Sequence, residues 1–389
     1  GARVTMAGDF YQTLVYIKSP SDLVSRIAQS FPCDGIAVRE GSATFIEIKS
    51  NQFMPLALEQ ELLTSEEVLF IKKMHPVLPI MARKNLKVPF STCNEMLEFN
   101  KDKNLELWQL ATVYESMRGA ISEKQVFEKM HGILGIMQNA IAIGLKGTQY
   151  TDRILGAQSQ EYQQKLKDKE LIAGAILNQV ILYTSVMMEV KSAMGVVVAA
   201  PTAGSCGALP GAILGIGSAM QLSEEEMVKA LLGAGMIGVF IAGHATFAAE
   251  VGGCMAECGS GSGMAAAGIV GLKKGSLEQS LSAASMALQS SLGMICDMIA
   301  DRVEAPCLNR NVMAATNAIS CANMALSDYD HLIPLDEVIE TMKRVGDALP
   351  NTHRCTGLGG LAITKTAKEI EARLAKGETD KNKTFFKVC

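Results

Sequence analysis

The sequence predicts an α+β protein, with a small N-terminal α/β module followed by a large all-helical domain. Three observations predict it. Short β-like runs occur only in the first 90 residues. From about residue 91 onward, apolar residues recur three and four apart, the spacing of one helix face. The composition is 48% hydrophobic but only 5% aromatic, with 35 Gly and 22 Met, which suits closely packed helices better than a sandwich of strands.

The elements follow in chain order. Residues 13–17 (TLVYI), 35–39 (GIAVR) and 43–48 (ATFIEI) read as strands. Between the first two, residues 19–30 open with a cap-like Ser-Pro-Ser-Asp and space Leu23 and Ile27 for a helix. Glu40-Gly41-Ser42 suits a hairpin turn. Helical spacing then covers residues 104–118, 123–144 and 168–188. Ser223-Glu224-Glu225-Glu226 and Pro334-Leu335-Asp336-Glu337 are helix starts with acidic first turns. These signals divide the chain into a module at 1–90, a helical catalytic domain at 91–376 and a tail at 377–389 ending in Cys389. The tail closes on Thr384-Phe385-Phe386-Lys387-Val388-Cys389, either an end that docks or a frayed terminus.

Composition also excludes classes of function. With 36 Lys+Arg against 40 Asp+Glu, the formal charge is −4, which argues against a nucleic-acid footprint and a polybasic membrane patch. Ten cysteines with no signal-peptide pattern point to a reducing, cytoplasmic setting, where thiols serve metal, redox or packing roles. Residues 230–249 form a 20-residue stretch without Asp, Glu, Lys or Arg, long enough to span a bilayer. It is rich in Gly and Ala and lacks basic or aromatic flanks, so the expectation is a buried central helix and no membrane.

Several segments could carry chemistry. Residues 201–210 (PTAGSCGALP) interrupt an apolar run with small and hydroxyl residues and lead into a helix. Such a loop either lets backbone N–H groups approach an anion or serves a tight helix crossing. Residues 252–263 (GGCMAECGSGSG) are too Gly-rich for a regular helix, and place Cys254 and Cys258 four apart. Cys296 and Cys307 follow at gaps of 42 and 11 residues, neither a zinc-ribbon pair nor a ferredoxin run. Thiolates spread over such turns either hold an iron–sulfur cluster with one open iron or are buried free cysteines. Lys191, just before the 201–210 loop, is a salt-bridge partner or a base. His244, inside the apolar stretch, is a core histidine or a catalytic group. The glycines of His353–Gly360 lack the strand and helix context of a nucleotide site.

Together these segments resemble the α chain of iron–sulfur-dependent L-serine dehydratases (L-serine ammonia-lyases). The matching residues are Ala200-Pro201-Thr202-Ala203-Gly204-Ser205, Gly252-Gly253-Cys254, Glu257, Gly259-Ser260 and residues 262–267. Further on they are Cys296-Asp297, Ala300, Val303, Pro306-Cys307, Arg310-Asn311 and Gly359-Gly360-Leu361-Ala362. The likeness runs from about residue 91 to about 376.

The resemblance implies an all-helical α-type domain and an oxygen-sensitive 4Fe-4S cluster on Cys254, Cys296 and Cys307, with Cys389 as a C-terminal cap of the fourth iron. It implies dehydration and deamination of a β-hydroxy amino acid, L-serine first, to a 2-oxo acid and ammonia without pyridoxal phosphate. Thr202, Gly204 and Ser205 would meet the substrate carboxylate, Arg310 and Asn311 the substrate or the cluster surroundings, and Lys191 or His244 would be the base. A homodimer is the family expectation. The family's β-domain Ser-Ser-His-Thr motif is missing from this chain, so residues 1–90 replace it, a separate β chain supplies it, or the enzyme works without it.

The chain also departs from the family pattern. Lys191 stands for an Asn, Cys355 for a Glu and Asp301-Arg302 for Gly-Leu, while residues 148–153 and 243–250 carry unfamiliar polar groups. The expectation is that several of these line a pocket for something other than plain serine. The same chemistry on another hydroxy amino acid or hydroxy acid, and a cluster-bearing subunit without catalysis of its own, are the alternatives.

Overall fold

The computed structural model describes residues 11–18, 22–33, 35–39, 44–50, 52–74, 88–151 and 153–376. The chain forms two compact units, one of residues 1–88 and 115–122, the other of residues 89–114 and 123–389. The expected turn at 40–42 and the tail 377–389, with Cys389, lie outside the described residues.

The first unit has the element order β1 (Tyr11–Ile17), α1 (Leu23–Ser30), β2 (Gly35–Arg39), β3 (Thr44–Ser50), α2 (Leu56–Leu63), β4 (Val68–Met74). Its strands lie in the order β2-β3-β1-β4 and every pair is antiparallel, the split β-α-β plan. Strand alternation explains the layers. Val15 pairs with Ile46, and these with Ile17 and Ile48 form one face, which packs on Leu23, Ile27, Phe31 and Leu62. Tyr16 points to the opposite face, stacked 4.2 Å from Phe70 and 5.1 Å from Phe45. The three expected strands are all present. Helix α2 and strand β4 are not announced by the sequence, because LALEQELL has Leu on several sides of a short helix and VLFIKKM does not alternate.

The second unit is helical. It contains α3 (Cys93–Asn100), most of α4 (Leu107–Gly119), α5 (Glu123–Gly144), α6 (Ser159–Lys167), α7 (Ala175–Ser192), α8 (Ala208–Met220) and α9 (Glu224–His244). After these come α10 (Ala249–Gly252), α11 (Ser260–Leu272), α12 (Leu277–Gln289), α13 (Cys307–Leu326), α14 (Leu335–Ala348) and α15 (Lys365–Ala375). The acidic start at 223–226 is a full capping box: Glu226 N–H donates to Ser223 Oγ, and Ser223 N–H donates to the Glu226 carboxylate. The helix expected from 168 begins instead at Ala175. Gly174 sits at φ 155°, which no residue with a Cβ adopts readily, and it separates α7 from the unforeseen α6.

Helix α11 is the centre. It packs against α8, α9, α12 and α13, and all its residues but Gly271 are buried or nearly so. The expectation that residues 252–263 avoid regular helix is corrected here: Ser260-Gly261-Ser262-Gly263 form the first turn of α11. Close packing overrides their poor propensity, since a Cβ on Gly263 would lie 3.0 Å from Leu288 and one on Gly261 3.2 Å from Ala208. Helix α9, long and apolar enough to cross a membrane, is packed against α11 with Val228, Leu231, Ile237, Phe240 and Ile241 buried.

The α7–α8 crossing shows the same constraint most sharply. A Cβ on Gly211 would fall within 2.7 Å of the Thr184 backbone and closer still to its hydroxyl. Gly211→Ala is therefore expected to destabilise the protein by about 2–3 kcal/mol, the cost of overpacking without a flexible neighbour. Denaturant unfolding checks this, and an unchanged midpoint would show that α8 can move away freely.

Candidate active site

Four segments meet around a group of buried cysteines. The first is the turn after α10. Gly253 at φ 69° breaks the helix, and a Cβ there would meet the Met294 carbonyl at 2.7 Å. The chain then makes one π-helical turn, Met255–Gly259, before α11 begins. Single π turns inside α-helices recur at functional sites. Here the turn carries Glu257 and Cys258 and is flanked by Cys254.

The second segment is the 201–207 loop. Ser205 N–H donates to Thr202 O at 3.3 Å, and Thr202 N–H donates to Ser205 Oγ at 3.3 Å. Thr202 Oγ1 donates to Glu257 Oε1 at 2.7 Å, which joins the loop to the π turn. Gly204 lies so close that a Cβ would sit 2.7 Å from both carboxylate oxygens of Glu257. Any larger residue at 204 would displace that carboxylate.

The third segment is α13, which starts at Cys307. One turn on, Asn311 is completely buried and its amide is fully used. Its oxygen accepts from Gly207 N–H and Ala208 N–H, both at 3.0 Å. Its NH2 donates to Gly204 O at 2.8 Å and Cys307 O at 2.9 Å. The α8 N-terminus is thus capped from α13 rather than left open. Beside it, Arg310 donates to Ile295 O at 2.8 Å and to Asp297 Oδ1, while Asp297 Oδ2 accepts from Leu361 N–H at 2.8 Å.

The fourth is the strand-like contact of Cys296 with the 353–355 loop. Cys296 N–H donates to His353 O at 2.9 Å and Cys355 N–H donates to Cys296 O at 3.2 Å.

Cys254, Cys296 and Cys307 are all buried and close enough that charge on one disfavours charge on the others. Burial pushes the Cys307 thiol up to about 12, with Lys191 and Arg310 opposing. A hydrogen bond from the Cys258 thiol holds Cys254 below its ordinary value, against burial. Among the described residues no three His, Cys, Asp or Glu side chains converge as one ion would require. Buried cysteine thiols are the donor type that an iron–sulfur cluster takes, and Cys254, Cys296 and Cys307 are the ones that would supply it. Burial holds the Glu257 carboxyl above the ordinary range, Glu250 adds to this, and Thr202 and Lys191 oppose it.

The other expected residues fall as follows. Lys191 Nζ donates to Val303 O, in the loop before Cys307, and lies within electrostatic reach of Glu257, Cys206 and Cys307. His244 is exposed at the end of α9, where Nε2–H donates to Ser91 O at 2.9 Å. Thr202, Gly204 and Ser205 meet Glu257 and one another. Arg310 and Asn311 bind backbone and Asp297.

The unfamiliar polar groups at 148–153 and 191 reach one loop. Arg153 Nε donates to Glu304 Oε1 at 3.2 Å, with side-chain exposures of only 5% and 6%, and Nη1 donates to Thr148 Oγ1 at 2.9 Å. Glu304 also accepts from the N–H groups of Ile154 at 2.8 Å and Leu155 at 2.9 Å. With Lys191 on Val303, these contacts pin the 303–304 backbone directly upstream of Cys307. Asp152 lies outside the described residues.

Sequence reasoning assigned no role to Glu257, Glu304, Asp297 or Glu189. A signal existed for Glu257, the one acidic residue within the Gly/Cys run 252–263. Glu304 and Glu189 are recognised only by partners far away in sequence, Arg153 and Gln158, while Asp297 pairs with Arg310 13 residues on.

Comparison with known proteins gives the family. The family description "Serine dehydratase alpha chain" matches residues 102–362. A Bacillus subtilis protein named probable L-serine dehydratase, alpha chain, is 34% identical over 295 residues, covering 76% of this chain and 98% of that protein. The L-serine dehydratase alpha chain of Peptoniphilus asaccharolyticus is 33% identical over 288 residues, covering 74% of this chain and 98% of its own. L-serine dehydratase TdcG of Escherichia coli is 36% identical over 191 residues, covering 48% of this chain but only 42% of that longer protein. These relatives make the chain an enzyme of the lyase class. The chain belongs to the serine dehydratase α-chain family.

The site's framework yields two predictions. Asn311→Ala removes the partner of two buried N–H and two C=O groups, each costing about 1–3 kcal/mol when orphaned, and is expected to cost about 3 kcal/mol or more in denaturant unfolding. A loss below about 1 kcal/mol would show that water replaces the amide.

Glu189 supplies the second. It accepts from Gln158 N–H at 2.8 Å and Ser159 N–H at 3.0 Å, while its buried Oε2 has no partner. Burial holds its carboxyl above the ordinary range, against those N–H groups and Arg153. The native state binds this proton more tightly than the unfolded chain. Its contribution is complete below the ordinary carboxylate pKa and is lost as pH rises through the raised value. Glu189→Gln cannot ionise, so it should gain on the parent protein as pH rises from about 4 to 7. A stability difference between the two that stays flat with pH would contradict this.

Proposed function

We propose that this chain dehydrates and deaminates a β-hydroxy amino acid, L-serine first, to a 2-oxo acid and ammonia, as the names of its relatives say of them. The carrying observation is the convergence of buried Cys254, Cys296 and Cys307 beside the Thr202–Glu257 pair. The three thiolates would hold a 4Fe-4S cluster, and Cys389 would cap its fourth iron. When bound, such a cluster supplies an open Lewis-acid position for the substrate hydroxyl. Pyridoxal phosphate has no part in this reading.

The chain's own residues do the rest. The 201–205 loop receives the substrate carboxylate with Thr202, Gly204 and Ser205, on N–H and hydroxyl groups held by Asn311. Arg310 and Asn311 act through the backbone they brace. Lys191 takes the Cα proton. Its proximity to Glu257 and Cys307 supports it over His244, whose imidazole is engaged at Ser91. In this reading the enzyme is cytoplasmic, oxygen-sensitive and a homodimer, and a separate β chain supplies any groups that residues 1–90 do not. Lys191 is engaged at the Val303 carbonyl and Arg153 at the Glu304 carboxylate, which favours plain serine over a remodelled pocket.

Anaerobic reconstitution tests the proposal. About four irons and four sulfides per chain are expected, with ammonia released from L-serine ahead of other β-hydroxy amino acids. Cys254→Ala, Cys296→Ala and Cys307→Ala should each lose the cluster absorbance while Cys206→Ala keeps it. Failure of the parent chain to take up iron would overturn the ligand assignment. Loading without ammonia release, even with a β chain added, would overturn the activity.

A further inference from the structure

Cys355 has no task in the proposed reaction, yet the fold sets it directly against a cluster ligand. Two backbone hydrogen bonds, Cys296 N–H to His353 O at 2.9 Å and Cys355 N–H to Cys296 O at 3.2 Å, lay the 353–355 loop along Cys296 as an isolated parallel bridge centred on Arg354. Cys355 follows Arg354 and is bonded directly to the Cys296 carbonyl, and residues joined by such a bond have Cα atoms about 5–6 Å apart, within the range a disulfide spans. The side chains close the remaining distance, with the two thiols within hydrogen-bonding reach of each other. Cys355 holds this place at φ 62°, an unfavourable angle for a residue with a Cβ, so the bridge rather than local preference puts the thiol there.

Access differs between the two. Cys296 is buried, whereas Cys355 is only half-buried, and its sulfur also touches Met298 Sδ at 3.7 Å. The other adjacent thiol pair, Cys254 and Cys258, is buried on both members and offers no entry to a reagent.

We propose that Cys296 and Cys355 form a reversible disulfide when no cluster is bound. The oxidant is a low-molecular-weight disulfide. The Cys355 thiolate attacks one of its sulfurs, a mixed disulfide forms and one small thiol leaves. The Cys296 thiolate then attacks the Cys355 sulfur, and the second small thiol leaves. Two cysteine thiols are oxidised and one small disulfide is reduced to two thiols, and excess thiol reverses both steps. The linked Cys296 is no longer a thiolate ligand, so iron loading waits on reduction. It is also shielded from overoxidation to sulfinic acid. This consequence for loading rests on the cluster reading, whereas the disulfide does not.

The full chain, stripped of metal by a chelator without oxygen, is incubated with glutathione disulfide, alkylated, digested and mapped by mass spectrometry. The expected product joins the Cys296 peptide to the Cys355 peptide and disappears with dithiothreitol. Cys355→Ser should lack it and carry glutathione on single cysteines instead. Since the mapping is done on the parent protein, a poorly folding variant does not decide the matter. Cys296 and Cys355 both remaining alkylatable, or a cross-link confined to Cys254 and Cys258, would overturn the proposal. Iron uptake by the cross-linked protein should fall by about tenfold or more until dithiothreitol is added. Unchanged uptake with the cross-link present would overturn the role of Cys296 as ligand and leave the disulfide standing.

Discussion

The structure depends most on the side chain of Asn311. One buried amide holds Gly204, Gly207 and Ala208, more than 100 residues earlier in the chain, against Cys307 in its own helix. A neutral group suits this position. It offers two donors and one oxygen with two lone pairs, and every one is met without burying a charge. The loop and the α8 N-terminus that would face a substrate are therefore fixed in relation to the cysteine that would face the cluster. Thr202 on Glu257 makes the corresponding tie to the π turn, and Arg310 with Asp297 makes the one to Cys296. The segments that carry the three cysteines are thus tied by hydrogen bonds from neighbouring polar side chains.

The polar departures at 148, 153 and 191 have a common destination, while His244 goes to Ser91 instead. Arg153 and Glu304 are a buried pair, and such pairs contribute little net stability while fixing geometry strongly. Together with Lys191 they hold the backbone of Val303 and Glu304, just ahead of Cys307. Thr148, Arg153 and Lys191 thus read as a rebuilt support for a loop, in which each of the three side chains has a partner. A charged residue placed there alone would have been costly, which explains why they occur as a set.

Much of the fold was legible because its signals are local. The strand runs, the Ser223 capping box and the 123–144 helix follow from periodicity and cap chemistry within a few residues. The Gly-rich opening of α11 was misread for the opposite reason. Its glycines answer to Ala208 and Leu288 on other helices, and nothing nearby in sequence announces that. The candidate site divides in the same way. The cysteines and the 201–205 loop stood out as runs of unusual composition, and the family resemblance gave them a shared meaning. Glu304 stood out in no run, since its significance is created by Arg153 and the Ile154 and Leu155 N–H groups, which only the folded chain brings to it.

The π turn between Cys254 and Ser260 also fixes the rotation of the helix behind it. It accommodates one residue more than an α-helical turn would, and each residue of helix turns its successor by about 100°. Removing that residue would leave α11 intact as a helix but turn its whole length on its axis, presenting different side chains to α8, α9, α12 and α13. With nearly every position of α11 buried, no rotated arrangement would fit. The length of this turn is thus a tooth in a gear, set by the helix downstream of it.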